Sequence, residues 1–202
     1  TFAWGGPGAF PSATEDLSGL IAGTYIVNAS DANGCSASTS INLIQPTPIT
    51  PTAAITTAQC QGANSGAIDL GVSGGTGAYT FLWSGFPAYS ATTEDITSLF
   101  AGVYTVTITD AAGCTATAYY NVGEPGQSQI AAQLSNTSGG YNVSCAAAMD
   151  GSIDASVSGG SGAYTYFWSG PDGFTSINLD LTGLAAGEYH LTVHDANGCN
   201  AQ

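Results

Sequence analysis

Five cysteines are the residues of this chain whose chemistry is easiest to specify, because paired thiols form disulfides. Their spacing falls into two kinds of interval. Cys60 to Cys114 and Cys145 to Cys199 are both 54 positions apart, whereas Cys35 to Cys60 is 25 and Cys114 to Cys145 is 31. The constant interval predicts the disulfides Cys60–Cys114 and Cys145–Cys199, with Cys35 left to a partner upstream of this sequence. Free buried thiols are the first alternative. A zinc site is less favoured, since no two cysteines are closely spaced.

Such disulfides would matter for the stability and the compartment of the protein. Closing a loop of this size stabilises a domain by about 4 kcal/mol in the chain-entropy model. Small domains benefit most, because their cores are small. Disulfides also persist mainly in oxidising compartments, so the sequence predicts a protein that works outside the cytosol.

Recurring aspartates form a second group of candidate ligands. Clustered carboxylates attract calcium, which would stiffen a repeated structure, so a weak calcium site is one interpretation. The favoured alternative is that these aspartates cap turns or are solvated. No other cofactor is predicted. The residues concerned are Asp69, Asp95, Asp110, Asp154, Asp180 and Asp195.

Three aromatic residues and two histidines complete the candidate sites. Phe10, Tyr89 and Phe174 occupy equivalent places after a tryptophan-containing segment. If exposed, they would offer one contact aromatic per repeat to a glycan or a neighbouring strand; the favoured alternative is that they fold over the edge of the domain. His190 and His194 are too few for a metal site and are interpreted as surface residues. No catalytic residue is predicted.

All of these residues belong to a tandem repeat. AGTYIVNASDANGC at 22–35 returns as AGVYTVTITDAAGC at 101–114 and AGEYHLTVHDANGC at 186–199, and TFAWGG at 1–6 returns as TFLWSG and TYFWSG. The sequence predicts repeat 1 over 1–46 as a C-terminal part only, repeat 2 over 47–125 as complete, and repeat 3 over 126–202 without its last strand. The shift from repeat 2 to repeat 3 is six residues longer than the shift from repeat 1 to repeat 2, and the additional residues lie between Pro125 and Cys145.

Short strands must position these residues. In repeat 2, the segments AIDLGVS, AYTFLWS, DITSL, VYTVTIT and CTATAYYNV are rich in threonine and in branched or aromatic residues and are separated by turns that contain glycine. This pattern predicts an all-β fold of tandem immunoglobulin-like β-sandwiches with one disulfide inside each repeat. One tryptophan and one tyrosine per repeat, the latter placed as in a tyrosine corner, are assigned to the core: Trp4, Trp83, Trp168, Tyr25, Tyr104 and Tyr189.

The order of these motifs resembles the SprB repeat of Bacteroidota surface proteins. The resemblance is carried by Cys, then GAID or GSID, then VSGGSGAYTYFWSG, then L-x-x-L-x-AG-x-Y and DANGC, and it covers essentially the whole chain. It implies a very long protein that is exported by the type IX secretion system and displayed at the cell surface. The founding member acts as the mobile adhesin of gliding cells. The complete loss of lysine and arginine is not implied by this resemblance.

Composition excludes several function classes. The chain has no Lys or Arg and 14 acidic residues, a net charge of −14, so binding to nucleic acid or to anionic lipid is disfavoured. Every acidic motif recurs by repeat and has no basic partner, which argues against an enzyme. The expectation is a non-enzymatic, extracellular or cell-surface segment without membrane insertion, forming a filament or adhesin. The alternative is a mobile gliding adhesin that binds surface polysaccharides.

The predicted partners follow from the strand edges. Natural sheets block lateral pairing with lysine or other charges, and this chain has no lysine. The segments from Pro51 to Gln59 and from Ala131 to Ser135 are therefore expected to pair with neighbouring copies of the same protein along or beside a fibre. Glycans are the second predicted class of partner.

Overall fold

The protein is almost entirely built from antiparallel strands, as seen in a computed structural model that describes residues 1–8, 10–137 and 139–202. Within these residues the one helical element is a 3-10 turn at Pro171–Gly173, and no helix has the length and apolarity needed to cross a membrane. The strands are β1 (Phe2–Gly5), β2 (Gly23–Ser30), β3 (Ser36–Leu43), β4 (Thr50–Thr56), β5 (Gly66–Ser73), β6 (Thr80–Gly85), β7 (Tyr89–Ala91), β8 (Ile96–Leu99), β9 (Gly102–Thr109), β10 (Thr115–Val122), β11 (Gln129–Leu134), β12 (Gly151–Ser158), β13 (Thr165–Ser169), β14 (Thr175–Ser176), β15 (Leu181–Leu184), β16 (His190–His194) and β17 (Asn200–Ala201).

Repeat 2 is a complete seven-stranded sandwich. One sheet has the order β4-β5-β8 and the other the order β10-β9-β6-β7. Alternate residues of β5 and β9 face the space between the sheets, where Ile68, Leu70, Val106 and Ile108 are buried around the fully buried Trp83. Two antiparallel sheets of three and four strands in this connectivity form an immunoglobulin-like sandwich, as the sequence predicted.

A tyrosine corner fixes the connection between the two sheets. The Tyr104 hydroxyl donates to the Phe100 carbonyl oxygen, with an oxygen–oxygen distance of 3.0 Å. The ring of Tyr104 packs on Gly85, where an added Cβ would lie 2.5 Å from the ring. The same hydrogen bond recurs from Tyr25 to Ile21 and from Tyr189 to Ala185.

Repeats 1 and 3 reuse parts of this architecture. Repeat 3 has the sheets β11-β12-β15 and β14-β13-β16-β17, and Trp168 lies in its core with Ile153 and Val193. Its β17 has two residues, whereas the equivalent β10 has eight and covers Trp83 with Tyr120. Repeat 1 contributes the single sheet β1-β2-β3, on which Tyr25 is buried and Trp4 is half-buried.

The additional residues of repeat 3 lie in a connection. Strands β4 and β11 begin 79 residues apart, whereas β5 and β12 begin 85 residues apart, so the insertion lies between β11 and β12. The two segments expected to pair with neighbouring chains overlap β4 and β11, and each of these strands pairs along one edge with the next strand of its own repeat. The second edge of each strand has no partner strand among the described residues.

The predicted disulfides are wrong. Cys60 is bonded to Cys199, and Cys114, Cys145 and Cys35 are free and exposed. The physical reason is the length of β10, which starts directly after Cys114 and ends beside the loop that carries Cys60. Eight residues of strand separate the two cysteines by roughly 25 Å, at about 3.3 Å per residue. A disulfide needs Cα atoms within about 7 Å of each other.

Candidate functional site

The junction between repeats 2 and 3 is where the structure brings together chemistry from two repeats. Cys60 lies in the loop between β4 and β5, and Cys199 follows the turn after β16. Their Cα atoms are 5.6 Å apart and the bond spans 139 positions of sequence. The bond therefore joins consecutive repeats, whereas the sequence predicted that it would close a single one.

Cys199 is held by the carboxylate of Asp195, which is 6% exposed. Asp195 Oδ1 accepts hydrogen bonds from the backbone N–H groups of Asn197 and Cys199, both at 2.9 Å, and Oδ2 accepts one from Ser161 at 2.8 Å. Gly198, with φ of 81°, closes the turn. Burial favours a raised pKa, but the hydrogen bonds from Cys199, Ser161 and Asn197 outweigh it and hold the pKa of Asp195 below its ordinary value.

Cys60 is held by a hydrogen-bonded loop. Ser65 Oγ accepts from the N–H of Gln59 at 2.8 Å, and the carbonyl oxygen of Cys60 accepts from Ala63 at 3.0 Å. A carboxylate oxygen of Glu124 accepts from Gly62 at 2.6 Å, which ties the loop to the end of repeat 2. Both partners of the disulfide are thus presented by backbone conformations that local side chains fix.

Noncovalent contacts reinforce the junction. The side-chain amide of Asn197 donates to the Gln59 carbonyl oxygen and to Ser161 Oγ, each at 2.9 Å. Within repeat 3, the N–H of Gly160 donates to the carbonyl oxygen of Gly126, the first residue of the repeat, at 3.0 Å. A cavity of about 150 Å³ lies between the connection of the two repeats, Gln61 and the turn that carries Cys199. Repeat 3 is therefore attached to repeat 2 through the main chain, the disulfide and a polar contact.

The predicted calcium ligands have other partners. Asp95 Oδ1 accepts from the N–H of Leu70 at 2.9 Å, and Asp180 Oδ1 accepts from Ala155 at 3.0 Å, so both extend the ladder between two strands. Asp69 and Asp154 are exposed on their strands. Within the described residues, no three His, Cys, Asp or Glu side chains come close enough to hold a metal ion.

Asp110 repeats the arrangement of Asp195 in repeat 2. Its Oδ1 accepts from Ala112 at 2.9 Å and from Cys114 at 2.8 Å, while Oδ2 accepts from the N–H and the hydroxyl of Thr76 at 2.9 and 3.0 Å. Burial favours a raised pKa for this carboxyl, but the hydrogen bonds from Thr76, Cys114 and Ala112 outweigh it and lower the pKa. Sequence reasoning assigned this aspartate to a turn but missed its second role, which is to join two turns at one end of the sandwich.

The candidate contact aromatics pack within their own repeats. Tyr89 meets Tyr104 edge to face with ring centroids 5.3 Å apart, and Phe174 meets Tyr189 at the same distance. Phe10 meets the corner tyrosine of repeat 1 at 5.7 Å. All three are half-buried, so the structure matches the alternative in which they fold over the edge of the sandwich.

The two histidines are exposed on β16. His190 Nε2 lies 3.7 Å from a carboxylate oxygen of Glu188, and both side chains are largely exposed. His190 also lines a mainly apolar cavity of about 440 Å³, together with Ile130, Trp168 and Leu191 among others.

Comparisons with known proteins find one family whose model matches two segments of this chain. The model of the SprB repeat family matches residues 52–86 and 141–173. A search of curated proteins finds no match. Among solved structures, a chain from work on the structural basis for Dscam isoform specificity is 10% identical with a TM-score of 0.29; the alignment covers 97% of this chain and 62% of that one. Each matched segment contains the loop cysteine and the tryptophan strand of one sandwich, so the chain is similar to the SprB repeat at two places, one in repeat 2 and one in repeat 3.

Proposed function

We propose that this chain is a non-enzymatic segment of a long cell-surface or secreted protein, in which successive sandwiches form an extracellular filament or adhesin. The observation that supports it most is the disulfide between Cys60 and Cys199, which joins two neighbouring repeats. A bond between repeats limits their rotation, as an extended rod requires. Persistence of that bond needs an oxidising environment, which agrees with export from the cytosol.

The surface of the sandwiches suits an extracellular role. The chain has no Lys or Arg, so it offers no cleavage site to proteases that cut after basic residues. Among the described residues, the edge strands β4 and β11 keep one unpaired edge each, and they carry no lysine to block pairing. Lateral contact between neighbouring copies along these edges is therefore part of the proposal.

Immunogold electron microscopy on intact cells of the source organism tests the location. Antibodies raised against the folded chain should label intact cells, with gold particles at a distance from the cell envelope that reflects an extended array. Labelling that requires permeabilised cells would refute surface display. Small-angle X-ray scattering tests the shape separately: we expect a rod of constant cross-section in oxidising buffer, and an ensemble of freely bending shapes would refute the filament.

A specific surface supports binding of polysaccharide as the second candidate function. The outer face of the β10-β9-β6-β7 sheet carries the side chain of Tyr119, which is 77% exposed, opposite Thr105 and Ser84 in the strand register. An exposed aromatic ring among hydroxyl groups is suited to stacking on a sugar and hydrogen bonding to it. Leu82, which is 61% exposed, lies two residues before Ser84 on β6 and therefore on the same face.

Glycan binding on this face is tested with Tyr119→Ala on a surface-polysaccharide array. We expect retention of the folded protein to fall at least tenfold relative to the parent chain. Tyr141→Ala is the matched control, because Tyr141 is also exposed, at 71%, but lies in a loop of repeat 3. Equal retention of the parent and Tyr119→Ala would assign any binding to another surface.

A further inference from the structure

We propose that the remaining cysteines are the sites at which further repeats attach covalently, so that disulfides run from each repeat to the next along the array. Two kinds of cysteine take part. The loop cysteines, Cys60 and Cys145, precede the second strand of a sandwich, and the turn cysteines, Cys35, Cys114 and Cys199, follow its sixth strand. The observed bond joins the loop cysteine of repeat 2 to the turn cysteine of repeat 3. This inference holds whatever the array binds.

The two loop cysteines are presented by the same local structure. In repeat 2 the side chain of Ser65 accepts the N–H of the residue before Cys60, at 2.8 Å. In repeat 3 the equivalent Asp150 accepts the N–H of the residue before Cys145, at 3.0 Å. The carbonyl oxygen of each cysteine accepts from the residue three positions later, at 3.0 Å for Cys60 and 3.1 Å for Cys145. Cys145 is therefore held in the conformation that Cys60 uses for bonding.

The three turn cysteines also share one local structure. The N–H of each donates to the Oδ1 of the aspartate four positions earlier, at 2.8 Å for Cys35, 2.8 Å for Cys114 and 2.9 Å for Cys199. The N–H of that aspartate donates back to the cysteine carbonyl oxygen, at 2.9 to 3.0 Å. Cys35 and Cys114 are thus prepared for a bond in the same way as Cys199.

The residue that guides the pairing recurs in repeat 1 but not in repeat 2. The Asn197 amide reaches across the junction to the carbonyl oxygen of Gln59, a backbone group that any residue supplies. Repeat 1 has Asn33 at the equivalent position, whereas repeat 2 has Ala112. The guiding hydrogen bond is therefore available to the turn cysteine of repeat 1 and absent from that of repeat 2.

The same pairing rule gives each exposed thiol a partner in another repeat. Cys145 takes the turn cysteine of a following repeat, and Cys114 and Cys35 each take the loop cysteine of the repeat before their own. All three are exposed and free in the structure, so they are accessible to such partners. The reaction is thiol–disulfide exchange with a small disulfide such as oxidised glutathione. Two protein thiols become one S–S bond, and the oxidant is reduced to two glutathione thiols, which take up the two electrons and the two protons.

A four-repeat chain tests the proposal. A copy of residues 118–202 added after Gln202 continues the sequence in register and supplies one loop and one turn cysteine, giving seven cysteines. After oxidation with glutathione disulfide, thiols are counted under denaturing conditions and the bonds are mapped by mass spectrometry. We expect three free thiols and a bond between Cys145 and the added turn cysteine. Five free thiols with Cys145 unpaired, or one free thiol with bonds inside each repeat, would overturn the proposal.

Two further chains protect this test against misfolding of the added repeat. Replacing the added turn cysteine by serine should leave Cys145 free and give four free thiols, which shows that the bond is specific. A second extension uses a copy of residues 39–122, which carries the repeat 2 sequence with its complete sandwich. A bond from Cys145 to the added turn cysteine in either extension supports the proposal, and a free Cys145 thiol in both extensions refutes it.

Discussion

Removing the bond between repeats 2 and 3 by Cys199→Ser should destabilise repeat 3 more than a change to any of the three free cysteines. With repeat 2 folded, unfolding of repeat 3 releases the chain from the end of β10 to Cys199, roughly 75 residues that the disulfide keeps in a closed loop. In the chain-entropy model a closed loop of this length stabilises the folded state by about 4.5 kcal/mol. Reduction of the parent chain removes the same bond, so it should have the same effect.

Hydrogen exchange read by mass spectrometry resolves this effect by repeat, because peptides from β12 and β16 report repeat 3 and peptides from β5 and β9 report repeat 2. We expect Cys199→Ser and the reduced parent chain to lose protection equally in β12 and β16. Cys114→Ser is the matched control, since Cys114 occupies the equivalent position in repeat 2 and is free.

Two results would refute the reasoning. If Cys114→Ser reduced protection in repeat 2 as strongly as Cys199→Ser does in repeat 3, Cys114 would have to be bonded. If reduction of the parent chain left repeat 3 unchanged, the bond would carry no stability and the loop argument would fail.

Three further predictions follow from the corner, the glycine beneath it and the turn aspartates. Tyr104→Phe removes the hydroxyl bonded to Phe100 and should lower the free energy of unfolding of repeat 2 by about 1 kcal/mol in a denaturant titration, whereas an unchanged midpoint would contradict the corner. Gly85→Ala places a Cβ 2.5 Å from the buried ring of Tyr104 and should lower the free energy of unfolding by about 2 kcal/mol in the same titration. Gly5→Ala is the control, because a Cβ at that position meets open space. Equal losses in the two variants would refute the clash. The pKa of Asp110 is lower in the folded state than its ordinary value of 3.8, so the stability that its carboxylate contributes is present above pH 3.8 and is lost as the pH falls through the lower folded pKa. At pH values below 3.8, the thermal midpoint of the parent chain should therefore decrease with pH more steeply than that of Asp110→Asn. Parallel curves for the two proteins would contradict this.

The strands and the core could be predicted because both depend on local pattern. Alternation placed Ile68 and Leu70 on one face of their strand, and both are buried, whereas Asp69 between them is exposed. The glycine-ended turns and the corner tyrosines followed from the same kind of short-range signal. The strand β4 was more difficult, because its threonines and alanines lack an apolar alternation and suggested an edge only.

The disulfide could not be predicted from spacing, for a physical reason that the repeat itself creates. Cys60 and Cys145 are related by the same shift of 85 positions as Cys114 and Cys199, so the two intervals of 54 are equal whichever cysteines pair. The information that decides the pairing is three-dimensional. A strand of eight residues places Cys114 at the opposite end of its sandwich from Cys60. At the Cys60 end, Cys199 of the next repeat is within bonding distance.

The bond from Cys60 to Cys199 also sets how the protein responds to tension. A pull on the two ends of the chain is transmitted directly from one sulfur to the other, so the 139 positions between them bear no load even when their strands open. At about 3.5 Å per extended residue, unfolding of this segment would lengthen the chain by roughly 480 Å if the disulfide were absent, and the disulfide prevents that extension. In the proposed array, oxidised repeats would therefore keep their length under tension, whereas reduced repeats would lengthen as their sandwiches unfold one after another.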